Sequence, residues 1–385
     1  MKFWKRIASY ILVAALASAA TFGICAWTMQ PERSKLDEVE DLLLDKFIGE
    51  SDQTKMEDAA AAAMVLSLGD RWSHYMSAEE YSAYRERMNN SYVGIGITIV
   101  VREDGAGFDI RKVEPTGPAA EAGILAGDLL IRAEGQDVAP LGTTGTKEII
   151  QGPEGTQVNI TVLRNGEELT FAVTRRQIIT PPATGRMLPD GIGLVTIENF
   201  NKRSAEDSIA AIEDLLEQGA WGIIFDLRYN PGGYADELVD LLDYLLPEGE
   251  LFRRVDFRGD EMVDMSDAAC LNIPMVVMVN GDTYSAAEFF AAALSEYGVA
   301  TVVGMPTTGK GYFQTTYKLS DNSAVTLSVG KYFTPNGISL AEVGGIVPDV
   351  VVEVDELLYN QLYADLVADA DDPQLAAAIE ALKAR

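Results

Sequence analysis

Residues 274–288 read PMVVMVNGDTYSAAE. The first half, Pro274 to Asn280, is a short apolar run bounded by a proline and a glycine turn, which predicts a buried strand. The second half begins a helix that is predicted to run from Ser285 to Tyr297. A buried strand followed directly by a helix is typical of an α/β sheet.

The chain alternates in the same way on both sides of this stretch. The predicted strands are Gly193 to Phe200, Trp221 to Leu227 and Val299 to Gly304, and the predicted helices are Ser204 to Glu217 and Ala235 to Leu246. Residues 177–354 are therefore predicted to form an α/β core. Residues 355–385, which are rich in Ala, Leu and Asp, are predicted to form a helical tail.

Two further segments precede the core. Residues 91–176 contain short β runs broken by glycine, beginning with Gly94 to Val100, and one short predicted helix, Thr144 to Gln151. They predict a compact β-rich module. Residues 31–90 carry apolar side chains at spacings of three and four, which predicts a small helical region. The fold class is thus multidomain, with α+β and α/β parts.

The first 30 residues have the pattern of a membrane signal. Ile7 to Met29 contains no charge over 23 positions, and as a helix it would span ~34 Å, enough for the core of a bilayer. A basic flank precedes it, made of Lys2, Lys5 and Arg6. We expect a single-pass signal anchor at residues 1–30, with the rest of the chain outside the cytoplasm. A cleaved signal peptide is the alternative, since the segment contains small residues at Ala15 and Ala17.

Composition excludes several classes of function. The formal net charge of −29 gives a surface that repels nucleic acid and anionic lipid. This acidity is interpreted as a source of solubility; the alternative is that the protein prefers basic partners. Cys25 and Cys270 are the only cysteines, and Cys25 lies in the apolar segment, so no disulfide framework is expected. With His74 as the single histidine, we expect no metal site and no cofactor. The aromatic residues around His74 favour a packed, structural histidine.

Ser285 is the first candidate for chemistry. It falls at the predicted turn from strand to helix, where a hydroxyl can project from a helix N-terminus as a nucleophile. The alternative is structural, because Ser285 and Glu288 also fit the S-x-x-E capping box.

Lys310 is the second candidate. It lies between Gly309 and Gly311 with no carboxylate beside it in sequence. A lysine acts as a base only when neutral, and burial without a counter-ion lowers its pKa toward working pH. Gln314 could hold the amine by hydrogen bonding.

A phosphate-binding loop is the competing interpretation of this lysine. Gly304 to Lys310 matches G-x-x-x-x-G-K after a predicted strand. The next position is Gly311 instead of Ser or Thr, and residues 312–317 resemble a strand where that motif requires a helix. Both departures count against nucleotide binding.

Residues 226–233, DLRYNPGG, form the third feature, an apolar strand that ends in a turn with two glycines. Such a turn exposes backbone N–H groups, and with the N–H of Ala286 it can supply the two donors that an acyl-transfer oxyanion needs. Asp226 and Arg228 are interpreted as a structural pair that supports the turn.

Three sequences, in this order, resemble the C-terminal processing peptidases, also called tail-specific proteases. They are DLRYNPGG at 226–233, GDTYSAAE at 281–288 and TTGKGYFQ at 307–314. The resemblance runs from about Leu68 to Asp349. It implies an α/β protease core of the ClpP/crotonase-like type, preceded by a PDZ domain.

The resemblance also implies roles for individual residues. Ser285 matches the nucleophile, Lys310 the base and Gln314 the glutamine that orients the lysine, so the enzyme is expected to be a serine endopeptidase with a Ser–Lys dyad. Gly233 and Ala286 match the oxyanion donors, and Gly232 remains an alternative to Gly233. The residues before the serine, Thr283 and Tyr284, are larger than is common in the family and are expected to narrow the adjacent subsite. A Ser-His-Asp triad would need His74, which is remote from Ser285 in sequence.

The β-rich module resembles a PDZ domain. In such domains a glycine-containing loop before an edge strand binds the terminal carboxylate of a peptide, which then adds to the sheet as a strand. The substrate-binding residues are predicted as Gly94, Ile95, Gly96 and Ile97. Ile97 and Ile99, with Ile149 or Ile150 from the short helix, are predicted to line an apolar pocket; the alternative is that they are ordinary core residues.

These features predict an ATP-independent endopeptidase that cleaves exported or membrane proteins near apolar C-termini, bound through the PDZ domain. The expected partners are protein or peptide substrates and the membrane, with no nucleic acid; a homo-oligomer is left open. The alternative function is a catalytically silent PDZ adaptor with a protease-like body.

Overall fold

A computed structural model describes residues 18, 21, 34–102 and 104–385. The chain divides into two compact units, Met1–Gly69 and Asp70–Arg385. Apart from residues 18 and 21, the predicted membrane segment Ile7 to Met29 lies outside the described residues. Among the residues that are described, no helix is both long enough and apolar enough to cross a bilayer.

The helices, numbered along the chain, are α1 Lys35–Lys46, α2 Gln53–Leu66, α3 Ala78–Met88, α4 Pro118–Ala122, α5 Gly142–Ile150, α6 Ser204–Glu217, α7 Ala235–Leu245, α8 Ala286–Glu296, α9 Leu340–Val343, α10 Glu356–Tyr363 and α11 Pro373–Lys383.

The strands are β1 His74–Met76, β2 Ser91–Gly94, β3 Ile97–Val101, β4 Phe108–Val113, β5 Leu129–Ala133, β6 Gln136–Asp137, β7 Gln157–Arg164, β8 Glu167–Thr174, β9 Arg176–Ile179, β10 Ala183–Leu188, β11 Ile192–Ile197, β12 Gly222–Asp226, β13 Gly249–Asp256, β14 Glu261–Ser266, β15 Met275–Val279, β16 Ala300–Gly304, β17 Tyr312–Lys318, β18 Ala324–Phe333 and β19 Val350–Val351.

The described part of the first unit contains α1 and α2, in a region predicted as helical. Ser34 caps α1 by accepting a hydrogen bond from the N–H of Asp37, and Asp52 caps α2 in the same way from Lys55. No residue of α1 is buried, and its apolar side chains, including Leu42 and Leu43, are exposed.

The core of the second unit is a six-stranded sheet with the order β10-β11-β12-β15-β16-β19. The β10–β11 pair is antiparallel and the other pairs are parallel. Side chains alternate between its two faces: Phe225 and Val277 pack with α6, α7 and α8, whereas Ile224 and Val276 pack with α11. The prediction of an α/β core is confirmed, and α11, from the predicted tail, covers one face of it.

A second, antiparallel sheet lies beside this core, with the order β1-β18-β13-β14 and with β17 also paired to β18. Its first strand corrects one prediction, because residues 31–90 are not helical throughout. His74–Met76 forms β1, paired with residues 324–326 of β18. His74 itself is exposed, so its interpretation as a packed residue was wrong. Pairing with a strand 250 residues away is a tertiary contact that local periodicity does not report.

The β-rich module consists of an antiparallel sheet, β3-β4-β5-β7-β8, with the short β6 paired to β5. Its core contains Ile95, Phe108, Leu130 and Ile160, and α4 and α5 complete it. The strands β2 and β9 pair with each other at the two points where the chain enters and leaves the module. The module is therefore inserted into the second unit through a two-stranded stem.

Candidate active site

Ser285 lies between β15 and α8, at the strand-to-helix turn that the sequence predicts. Its backbone angles are φ 60° and ψ −128°, a conformation that non-glycine residues rarely adopt and that often marks functional sites. The residue is 8% exposed. The N–H of Ala286 is the first of α8 and has no carbonyl to donate to within the helix.

Glu288, in the first turn of α8, connects this serine to the lysine loop. Its carboxylate accepts hydrogen bonds from the N–H of Ser285 at 2.9 Å and from the N–H of Lys310 at 2.8 Å, both at Oε2. Oε1 accepts from the N–H of Gly309 at 2.7 Å and from the Thr307 hydroxyl at 2.6 Å. Four donors that converge on two oxygens favour the ionised form of the carboxylate.

The capping-box motif thus forms one part of a larger arrangement. Glu288 is fully buried. Burial raises the pKa of its carboxyl, and the hydrogen bonds from Thr307, Gly309, Lys310 and Ser285 oppose that rise. The sequence indicated Glu288 as a helix cap, but its contacts with residues 307–310 appear only in the fold.

Lys310 lies in the loop between β16 and β17 and is partly buried. Gly309 allows the loop to approach closely: its φ is +80°, and a Cβ there would meet the backbone N of Gly345 at 2.8 Å. The next element is the strand β17, not a helix. This overturns the phosphate-binding interpretation of Gly304 to Lys310.

The surroundings of Lys310 lower its pKa. Burial is the largest cause and brings the pKa of the amine to about 8; Glu288 and Asp70 act in the opposite direction, and Arg71 acts with burial. No carboxylate stands beside Lys310 in sequence, but Glu288 and Asp70 approach it through the fold. The amine is nevertheless much easier to deprotonate than an exposed lysine.

The turn after β12 packs directly against the serine. A Cβ on Gly232 would meet the Cβ of Ser285 and the N of Ala286, each at 2.8 Å, so only glycine fits there. The N–H of Gly232 already donates to the Asn230 side chain at 2.8 Å. In the described part of the chain the N–H of Gly233 has no partner.

Asp226 and Arg228 support this turn from behind. The Arg228 guanidinium pairs with Asp226 at 2.6 Å and with Asp372, the N-cap of α11, at 2.8 Å. All three side chains are largely buried, and the two carboxylates outweigh burial in raising the pKa of Arg228. The partner Asp372 was not found from the sequence.

Gln314, on β17, is not bonded to Lys310. Its side-chain amide donates to the carbonyl of Tyr312 at 3.0 Å and to the hydroxyl of Ser328 at 3.2 Å. The lysine amine instead faces two aromatic rings, with its Nζ 4.5 Å from the ring centroid of Trp72 and 5.7 Å from that of Tyr284. The approach of Trp72 was missed, since it depends on the pairing of β1 with β18.

The β-rich module carries a groove of about 350 Å³ between β3 and α5. It is lined by Tyr92, Gly94, Ile95, Gly96, Ile97, Thr98, Ile99, Thr143, Lys147, Ile150 and Gln151. Of the two isoleucines considered on the helix, Ile150 lines the groove. Among the described strands, β4 is the partner of β3, so the other edge of β3 is open to a peptide.

The loop at one end of this groove has free donors. The carbonyls of Ile95 and Gly96 accept from Ala119 and Glu114, but the N–H groups of Ile95 and Gly96 have no partner among the described residues. As for metals, no group of three or more His, Cys, Asp or Glu within the described ranges could hold an ion.

Comparison with known proteins agrees with this geometry. The pattern of peptidase family S41 matches residues 191–352, and that of the PDZ domain matches residues 93–174. A carboxy-terminal-processing protease of Bartonella bacilliformis is 32% identical over 321 residues, covering 80% of this chain and 72% of the relative. The carboxy-terminal processing protease CtpA of Bacillus subtilis is 30% identical over 359 residues, covering 90% and 76% respectively.

A solved structure shows the same fold. The putative S41 protease from Bacteroides fragilis superposes with a TM-score of 0.58 at 18% identity, covering 92% of this chain and 99% of that one. Fold and site together define a serine peptidase that carries a PDZ domain. The chain belongs to peptidase family S41, among the carboxy-terminal processing proteases, as its motifs suggested.

Proposed function

We propose that the protein is a Ser–Lys endopeptidase in which Ser285 is the nucleophile and Lys310 the general base. The observation that carries the proposal is the shared carboxylate of Glu288, whose Oε2 accepts hydrogen bonds from the backbone of both residues. Two loops that are distant in sequence are thereby fixed side by side, one with an unusual serine conformation and the other with a lysine pKa of about 8.

The reaction follows from these groups. Neutral Lys310 takes the proton of the Ser285 hydroxyl as Oγ attacks the carbonyl carbon of the scissile peptide. The N–H groups of Gly233 and Ala286 stabilise the oxyanion that forms. The lysine ammonium then donates its proton to the leaving amine, and an acyl-enzyme remains. The same lysine then deprotonates a water molecule, which attacks the ester carbonyl, and the ammonium returns that proton to the Ser285 Oγ as the acid product leaves.

Of the two glycines considered for the oxyanion site, Gly233 is our choice. The N–H of Gly232 donates to the Asn230 side chain, whereas the N–H of Gly233 has no partner within the described ranges. Gln314 enters the proposal as an orienting residue whose amide oxygen could reach Lys310 after a side-chain rotation. Its present bonds to Tyr312 and Ser328 make this a weaker element than the Glu288 connection.

The groove of the PDZ domain indicates which class of substrate the enzyme would bind. Its open β3 edge can pair with an added strand, its loop offers the N–H groups of Ile95 and Gly96 to a carboxylate, and Ile97, Ile99 and Ile150 give it an apolar wall. These features support proteins with apolar C-termini as substrates. No nucleotide is needed for this chemistry, and the proposed cleavage is ATP-independent.

We extend the proposal to exported or membrane substrates. Support comes from the sequence alone, namely the charge-free segment Ile7 to Met29 behind a basic flank. External protease applied to spheroplasts should degrade the full chain but not a variant lacking residues 1–30. Equal protection of both chains would contradict the extension.

The central test uses purified protein and a peptide with an apolar free C-terminus, without ATP. We expect cleavage of this peptide, weaker cleavage of its C-terminal amide, and none by Ser285→Ala. Tight binding without any cleavage by the wild type would favour a PDZ adaptor instead. The intact set of Ser285, Lys310 and Gln314 argues against that alternative.

A further inference from the structure

The segment between Asp70 and Met76 brings an indole ring to the proposed base. One oxygen of the Asp70 carboxylate accepts from the N–H of Trp72 at 3.1 Å, and the other accepts from the hydroxyl of Ser73 at 2.5 Å. The Ser73 hydroxyl in turn accepts from the N–H of Ser328 on β18 at 3.0 Å. Because β1 follows and pairs with β18, the position of Trp72 is set by the antiparallel sheet.

The ring of Trp72 lies against Lys310 and against the residue that precedes Ser285. Its centroid is 4.5 Å from the Nζ of Lys310 and 5.8 Å from the ring of Tyr284, the residue directly before Ser285. The guanidinium of Arg71 also lies 4.1 Å from the Trp72 centroid. A lysine ammonium within about 6 Å of an indole ring is attracted by the negative charge on the ring face.

We propose that Trp72 is a positioning residue for the peptidase reaction, holding the Lys310 side chain beside Ser285 through the face of its indole ring. This inference rests on the proposed role of Lys310. The ring contacts the lysine chiefly in its ammonium form, which is the form that donates a proton to the leaving amine. When the amine loses its proton the attraction weakens, so the ring stabilises the ammonium form relative to the neutral amine.

Four groups set the balance between the two forms of the lysine. Glu288, from α8, and Asp70 favour the ammonium, Arg71 opposes it, and the face of Trp72 adds to the favourable side. Burial opposes the ammonium and is the largest influence in lowering the pKa of Lys310. A substitution of Trp72 that keeps the apolar cover but removes the ring face should therefore lower the pH at which the lysine titrates.

The experiment measures kcat/KM between about pH 6 and pH 10 for the wild type, Trp72→Phe and Trp72→Leu. We expect the midpoint of the acidic limb to fall in that order, by roughly 0.5 to 1 pH unit for Leu, together with a fall in kcat. Arg71→Gln is the control of opposite sign, since loss of that positive charge should raise the midpoint. A purely structural tryptophan would lower the melting temperature and leave the midpoint unchanged.

A second series keeps the test valid if Trp72→Leu fails to fold. Fluorinated tryptophans placed at position 72 by nonsense suppression preserve shape while weakening the ring face stepwise. The midpoint should fall with each added fluorine; an unchanged or rising midpoint overturns the inference. Lys310→Arg separates the two proposals. Activity in that variant would refute the Ser–Lys reaction itself. If the arginine variant is inactive and the midpoint does not change with fluorination, only the role of Trp72 is refuted.

Discussion

The backbone N–H of Lys310 donates to the carboxylate of Glu288 at 2.8 Å, which ties the proposed base to the first turn of the helix that follows the proposed nucleophile. The bond joins residues 22 positions apart in sequence. The relative position of the loops that carry Ser285 and Lys310 therefore depends on one buried side chain.

Substitution of that side chain should disable the enzyme. In Glu288→Gln an amide NH₂ replaces one acceptor oxygen and faces backbone N–H donors, so we expect a loss of activity of about 100-fold or more from loop displacement. The free energy of unfolding should fall by about 1 to 3 kcal/mol. Peptide cleavage and thermal unfolding measure both effects. Glu217→Gln, at an exposed site on α6, is the matched control; equal behaviour of the two variants would contradict the role of Glu288.

Ser285→Ala should abolish cleavage without unfolding the protein. Loss of the nucleophile is expected to reduce the rate by at least ~10³-fold. The N–H of Ser285 still donates to Glu288 and its carbonyl still accepts from Glu288 and Phe289, so the substitution removes only the side-chain half of the capping box. If the free energy of unfolding falls by more than ~2 kcal/mol, the upper range for a lost helix cap, the role of Ser285 is structural instead. Ser320→Ala, in an exposed turn, serves as the control.

The rate should depend on pH through Lys310. The neutral amine is the active form of the base and its pKa is about 8, so kcat/KM should rise about tenfold per pH unit below that value and level off above it. Lys310→Arg and Lys310→Ala should both be inactive, because a guanidinium stays protonated. Turnover by the arginine variant near the wild-type rate would exclude Lys310 as the base.

Tail binding should depend on the groove beside β3. Ile97→Asp puts a charge on its apolar wall, and we expect KM for a peptide with an apolar free C-terminus to rise at least ~10-fold. Val101→Asp, at the far end of the same strand and exposed, should leave KM unchanged. Equal effects of the two substitutions would show that the groove does not select the tail.

His74 should play no part in catalysis. Because its side chain is exposed, His74→Ala should change the free energy of unfolding by no more than about 0.5 kcal/mol and leave the pH profile intact. The measurement is kcat/KM against pH in parallel with the wild type. Loss of a limb from the profile would implicate the histidine.

Most of the α/β core was predictable because its signals are local. The predicted helix at residues 204–217 is observed with the same bounds as α6, and the strand-turn-helix around Ser285 follows from a buried run and a glycine turn. The assignment of the core to the ClpP/crotonase-like type remains a prediction. The strands β13 and β14 were not predicted, since their many charged residues mask the strand pattern.

The parts of the site that sequence reasoning missed are contacts between distant segments. Trp72 reaches Lys310 only through the pairing of β1 with β18, and Asp372 reaches Arg228 only because α11 packs on the central sheet. The spacing of these residues in the sequence gives no indication of either contact. The acids near Lys310 were missed for the same reason.

The buried pair of Arg228 and Asp372 has a consequence for the order of synthesis. The two residues are 144 positions apart, so a ribosome working at ~5 to 20 residues per second makes the arginine about 7 to 30 s before its partner. During that interval the nascent chain contains Arg228 but not Asp372, the residue that pairs with it behind the turn after β12. The support of this turn by Asp372 is therefore completed late in synthesis, when α11 packs on the central sheet.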